Sequence, residues 1–218
     1  MITIQSAEKD AFTPYHVEMV KSLSAYAAIA LNNAIKSMEL KNLNELLLSL
    51  SEEDKLTGIA NRRKFDDYID NVWNSSIKDG SSIALLIIDI DYFKEDNDNL
   101  GHLEGDKCIA KVANALKNMN IKLHFIARYG GDEFMVVLEK SSIDEAVKVA
   151  ENIKDTIAEL NIPHEFSKIS DRVTLSIGAA SVIPNENMTI KDFIREADKA
   201  LYSAKKFGRN QVAVCGEV

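Results

Sequence analysis

The chain has 218 residues, 46% apolar and 28% charged, which is the composition of a soluble globular protein and excludes a disordered or collagen-like one. Its 34 acidic against 26 basic residues leave a net charge of −8, which argues against a general nucleic-acid surface, since such a surface needs excess Lys and Arg. No apolar run approaches the ~20 residues of a membrane span, no signal-peptide pattern is visible, and two cysteines cannot build a disulfide framework, so a cytoplasmic location is expected.

Ile2-Thr3-Ile4 alternates like the end of a strand with nothing before it to pair with, which suggests a piece of something longer. Thr13-Pro14 reads as a helix start, Thr as N-cap and Pro at the first helical position. From there to about Glu53 no Gly or Pro occurs, so a helix about 60 Å long is expected. Leu23, Ala27, Ala30 and Ala34 recur at 4-3-4 spacing, and Leu40, Leu43, Leu47 and Leu50 at 3-4-3. Both are coiled-coil seams, and the register slips by one residue between 34 and 40. Such a helix needs a partner surface, and a homodimer through this N-terminal helix is the expectation.

After Asp54 the character changes. Gly58 breaks the helix, and Asn61 can cap a new one running to about Ile77. Residues 83–88 form an unbroken apolar run, read as a strand buried on both faces. A helix follows around 105–119. Residues 123–128 and 134–138 read as strands flanking a Gly130-Gly131 hairpin. Helix is expected over 142–160 and 190–207, strand over 173–182 and 212–214. The β-α-β-β-α-β order predicts an α+β, ferredoxin-like (palm-type) antiparallel sheet with flanking helices. The expected division is a stalk over 1–53 and a second domain over 54–218.

Two acidic clusters carry the chemistry. Asp89-Ile90-Asp91 ends the buried strand, where a carboxylate is expensive unless it faces a site mouth or a cation. Gly130-Gly131-Asp132-Glu133-Phe134 occupies the hairpin. In a palm-type sheet the first strand and the hairpin are neighbours, so Asp89 and Asp132 can meet at one edge. Converging carboxylates bind hard divalent cations, above all Mg²⁺ carrying substrate phosphates. The competing reading is a hairpin turn with solvated acids.

Arg128-Tyr129-Gly130-Gly131-Asp132-Glu133-Phe134 resembles the signature of the GGDEF family of bacterial diguanylate cyclases. Further blocks agree in order: Asp54-Lys55-Leu56-Thr57-Gly58, Asp89-Ile90-Asp91-Tyr92-Phe93-Lys94 with Asn97-Asp98, Gly101-His102, Gly105-Asp106, Thr174-Leu175-Ser176-Ile177-Gly178, and Ala197-Asp198-Lys199-Ala200-Leu201-Tyr202 with Lys205 and Gly208-Arg209-Asn210. The resemblance implies a diguanylate cyclase that condenses two GTP into cyclic di-GMP and two pyrophosphates across a dimer. It implies two Mg²⁺ per active site, replaceable by Mn²⁺, on Asp89, the Ile90 carbonyl, Asp132 and Glu133. Asp132, Glu133 and Lys94 would be catalytic; Asn97 and Asp106 would read guanine. Phe93, Gly130 and Gly131 would line the substrate, while Lys94, Lys205 and Arg209 would hold its phosphates. The alternative is a GTP-binding regulatory module of the same family without turnover. The family often carries Arg-x-x-Asp before the motif as an inhibitory product site; Ile121-Lys122-Leu123-His124 stands there, so that site is expected to be absent. Residues 2–6 and 12–34 resemble the last strand and closing helix of a GAF sensor domain.

Overall fold

The computed structural model describes residues 11–50, 52–119 and 124–215, with backbone alone over 44–50. Its elements are α1 (Pro14–Leu50), β1 (Ala60–Asn61), α2 (Arg62–Asp79), β2 (Ile83–Ile90), α3 (Phe93–Leu100), α4 (His102–Asn118), β3 (His124–Gly130), β4 (Glu133–Glu139), α5 (Ile143–Glu159), β5 (Leu175–Val182), α6 (Ile190–Lys206) and β6 (Val212–Val214). The chain divides into two units, Met1–Ser51 and Glu52–Val218.

In the first unit α1 is a single uninterrupted helix of 37 residues, about 55 Å long. Pro14 opens it, and the Val17 N–H donates to the Thr13 carbonyl at 3.3 Å. The register slip leaves the helix unbroken. Its apolar side chains Leu23, Ile29, Leu40 and Leu43 are all more than half exposed. The strand expected over residues 2–4 lies outside the described residues.

The second unit is a six-stranded sheet in the order β1-β3-β4-β2-β5-β6. Its four central strands pair antiparallel in the ferredoxin-like arrangement, and β1 and β6 add parallel edges. β2 sits at the centre because every one of its residues is apolar up to Asp89, and all eight are buried. Alternate side chains serve two cores. Ala84, Leu86, Ile88 and Ile90 pack with Ile109 and Leu116 of α4 and Ile153 and Ile157 of α5. Ile83, Leu85 and Ile87 pack with Phe65 and Ile69 of α2 and Phe193 and Leu201 of α6. Each of its Leu and Ile side chains contributes about 1.5–3 kcal/mol on burial, so β2 is firmly held.

Helix ends follow local chemistry. The Asn61 side chain accepts from the Lys64 N–H and caps α2, which Gly80 ends in a left-handed conformation. Ser142 and Glu145 form a reciprocal capping box on α5. α6 lies against β5 at Gly178, where a Cβ would run into the backbone of Ala197 and Leu201. Only glycine permits that approach.

The structure departs from the sequence reading at the short strand β1, at the helices α3 and α4, and at the hairpin. α3 was not anticipated, and α4 begins at His102 rather than 105. The glycine pair does not form the turn by itself. Gly130 still belongs to β3, pairs with Glu133 after a register shift at Arg128, and leaves Gly131 and Asp132 to make the turn.

Candidate active site

Asp89 and Glu133 are paired residues of the neighbouring strands β2 and β4. Asp132 precedes Glu133 in the turn, next to Gly131, whose φ of +51° costs a glycine little. Antiparallel pairing therefore brings three acids to one end of the sheet. Lys205, in the last turn of α6, joins them: its Nζ lies 2.7 Å from Asp89 Oδ2. Burial pushes the Asp89 carboxyl up to about 6; the Lys205 ammonium pulls the other way, and the charges of Asp132 and Glu133 push up again. Asp132 is also raised, by burial above all. Acids that resist ionising when alone are acids that a cation would relieve.

The hairpin is fixed from outside the sheet. Arg128 Nε donates to the Gly131 carbonyl at 2.9 Å, and its Nη1 meets both oxygens of Asp54 at 3.1 and 3.2 Å. Asp54 Oδ1 also accepts from the N–H and hydroxyl of Thr57. Against the effect of burial, these bonds from Thr57 and Arg128 hold the Asp54 carboxyl below its ordinary value. The Asp54–Thr57 block and the glycine hairpin thus form one polar joint.

A second group of side chains lies along α3 and α4. Phe93 is buried, and Asn97 Oδ1 is a buried acceptor without a hydrogen bond among the described residues. Gly105 of α4 faces them: a Cβ there would strike Asn97 Oδ1 and come within 3.0 Å of Phe93 Cζ. Lys94 and Asp106 are exposed, and neither makes an ion pair among the described residues. Arg209 donates from Nη1 to the Lys205 carbonyl at 3.2 Å, and its guanidinium lies 4.5 Å from the centre of the Tyr92 ring. Lys205 is thus in direct contact with Asp89, and Asp132 and Glu133 stand close enough to act on the Asp89 charge.

Among the described residues no three His, Cys, Asp or Glu side chains close into a metal cage. The donor set nevertheless fits a hard cation such as Mg²⁺, which keeps several waters and takes one or two carboxylates with substrate phosphates.

The family model for "Diguanylate cyclase, GGDEF domain" matches residues 51–211. The chain belongs to the GGDEF family. Diguanylate cyclase A of Treponema denticola is 34% identical over 207 residues, which are 93% of this chain and 52% of that protein. The chain spans about half the length of the curated relatives it matches. Among solved structures, the coiled coil and GGDEF domain of DgcB from Caulobacter crescentus, in complex with c-di-GMP, superposes with a TM-score of 0.68 at 30% identity, covering 86% of this chain and 99% of that one. Diguanylate cyclase SiaD from Pseudomonas aeruginosa, in complex with its activator SiaC, superposes with a TM-score of 0.68 at 27% identity, covering 90% of this chain and 74% of that one.

One acid of the GGDEF domain lies where its sequence position does not suggest. Asp91, two residues beyond Asp89, turns inward and is 1% exposed. Its carboxylate accepts from Thr174 Oγ1 at 2.8 Å, Ser176 Oγ at 2.6 Å and the Asn210 N–H at 3.0 Å. The sequence does hold a trace of this. Thr174 and Ser176 are hydroxyls flanking Leu175 among the buried residues where β5 begins, and buried hydroxyls require a partner. The segment 121–123, where an inhibitory product site would start, lies outside the described residues.

Proposed function

We propose that this chain is a diguanylate cyclase that joins two GTP into cyclic di-GMP with release of two pyrophosphates. The observation that carries the reading is the assembly of Asp89, Asp132 and Glu133 at one sheet end, with Lys205 against Asp89. In each half-reaction a 3′-hydroxyl attacks the α-phosphorus of the other nucleotide, and the bond to the β-phosphate oxygen breaks. When bound, Mg²⁺ neutralises phosphate charge and acidifies the attacking hydroxyl, and Mn²⁺ can replace it. Asp89, Asp132, Glu133 and the Ile90 carbonyl would hold two such ions. Lys94, Lys205 and Arg209 supply positive charge for the triphosphate. Gly130 and Gly131, lacking a Cβ, let the hairpin backbone approach the nucleotide. Asn97 and Asp106 read guanine, because a carboxylate accepts from guanine's N–H groups and meets only an acceptor at N1 of adenine.

One domain holds one GTP, so the chemistry needs two copies facing each other, which α1 would supply by parallel pairing in the cytoplasm. The resemblance of residues 12–34 to the end of a GAF domain supports a sensor upstream of that stalk. Ile121 and His124 provide neither the guanidinium nor the carboxylate of the family's inhibitory site, which supports an enzyme without that product brake. The deciding experiment is chromatography of nucleotides after incubation with GTP and Mg²⁺. Cyclic di-GMP as product upholds the reading; bound, unchanged GTP assigns a regulatory module instead.

Gly105→Ala tests the guanine side. The new methyl evicts the Asn97 amide from the space it fills, so affinity for GTP is expected to fall about tenfold, the worth of a hydrogen bond or two. Inosine triphosphate, which lacks the 2-amino group, measured beside GTP, shows whether guanine recognition is what was lost. Equal affinity in variant and parent would remove Asn97 from the guanine site.

Asp89 sets a pH dependence. A cation competes with its proton, so affinity for Mn²⁺ is expected to drop about tenfold per pH unit below about 6 and to level off above it. The sign for stability is opposite. A carboxyl raised on folding favours the metal-free fold at low pH, and that advantage is lost as pH rises from 3.8 through about 6. Melting curves of the metal-free chain at pH 5 and pH 7 read this directly, and a pH-independent affinity for Mn²⁺ would remove Asp89 from the metal site.

A further inference from the structure

Between α6 and β6 the backbone makes an unusual turn. Gly208, Arg209 and Asn210 have successive φ values of +123°, +61° and +47°. Glycine accepts this readily and asparagine tolerates it, whereas an arginine rarely adopts it. Left-handed backbone at two adjacent non-glycine residues persists only where the surroundings over-determine it. Tyr92, directly after Asp91, is also left-handed, with φ +56°. These two strained segments meet, since the Arg209 guanidinium lies on the Tyr92 ring.

The Asp91 carboxylate stands between them. One of its oxygens accepts from the Ser176 hydroxyl, and the other accepts from Thr174 and from the Asn210 N–H. Its own N–H donates to the Thr174 carbonyl at 3.0 Å, which fixes the end of β2 to the start of β5. Buried, charge-assisted bonds of this kind are among the stronger ones available to a turn. The carboxylate is engaged by three protein donors in a place closed to solvent, which is not the arrangement of a metal ligand.

We infer that Asp91 is a positioning residue: it clamps the Gly208–Asn210 turn to the strand end that carries Asp89, and so aims Arg209 at the phosphates of a nucleotide held there. This rests on the reading of Arg209 as a phosphate-holding group. Without the acceptor at position 91 the Asn210 N–H loses its partner, the turn relaxes, and Arg209 leaves Tyr92. An asparagine at 91 keeps the clamp. Its oxygen still accepts from Thr174 and Asn210, and its amide donates to the Ser176 oxygen, which can accept.

The test is calorimetric titration of the full chain, in Mg²⁺, with a GTP analogue that cannot react. Asp91→Ala is expected to weaken binding about tenfold or more, and Arg209→Ala by a similar factor. If Asp91 acts through Arg209, the double variant binds within about threefold of Arg209→Ala alone. Asp91→Asn is expected to stay within about threefold of the parent. Losses that multiply in the double variant would overturn the inference, and so would an Asp91→Asn that binds about tenfold or more weakly than the parent. Should Asp91→Ala fail to fold, the asparagine variant decides by the same criterion. No binding by the parent chain is a separate result, and it overturns the nucleotide reading itself.

Discussion

Replacing Asp132 or Asp89 by asparagine is expected to lower cyclic di-GMP formation by about a hundredfold or more while the protein stays folded. In the proposed reading each carboxylate faces a cation and the triphosphate at once, and an amide would offer that cation no charge. Stability should barely change. Burial already raises both carboxyls, Asp89 to about 6, so the fold favours their neutral forms and an uncharged isostere costs it little. For Asp89 the loss of the ion pair with Lys205 is cushioned because the lysine side chain is about one-third exposed and its ammonium can turn to water. Product chromatography and a thermal melt on the same samples separate the two effects. A near-parental rate in either variant would move the metal site elsewhere.

The second large effect concerns α1. Leu40 and Leu43 are 67% and 53% exposed on a single helix, and they lie on the seam expected to pair two chains. In the proposed dimer, replacing both by Glu is expected to shift the chain toward monomer. Each buried Leu is worth about 1.5–3 kcal/mol, so losing two from each helix raises the dissociation constant by at least roughly a thousandfold. Specific activity should then depend steeply on protein concentration, because the stalk no longer supplies the second domain at high effective concentration. Light scattering gives the mass, and a dilution series gives the rate. Activity that stayed concentration-independent in a monomeric variant would contradict the two-domain mechanism.

What could be read from the sequence follows where the physics is local. β2 was legible because eight consecutive buried residues leave an apolar run that no surface element carries. α6 and α5 were legible through their apolar period and their first-turn acids and caps. α3 was not, because Phe93–Leu100 is Phe-Lys-Glu-Asp-Asn-Asp-Asn-Leu, whose two apolar residues, of which only Phe93 is buried, are too few to reveal a period. β1, two residues long and paired with distant β3, leaves too short a pattern to recognise. At the site, the acids of β2 and the hairpin could be found by their cost in apolar surroundings. The inward turn of Asp91 and the stacking of Arg209 on Tyr92 could not. Both depend on left-handed backbone at non-glycine residues, which propensity would have steered away from.

Gly178 carries a final consequence. Because α6 touches β5 backbone to backbone there, the helix cannot slide or roll along the sheet without atoms colliding. Lys205, in the last turn of that helix, therefore hangs from a frame whose freedom was surrendered when the chain folded, not when a ligand arrives. Only its side-chain rotamer remains to be ordered on binding, so a contact from Lys205 to a phosphate should carry a small entropic penalty.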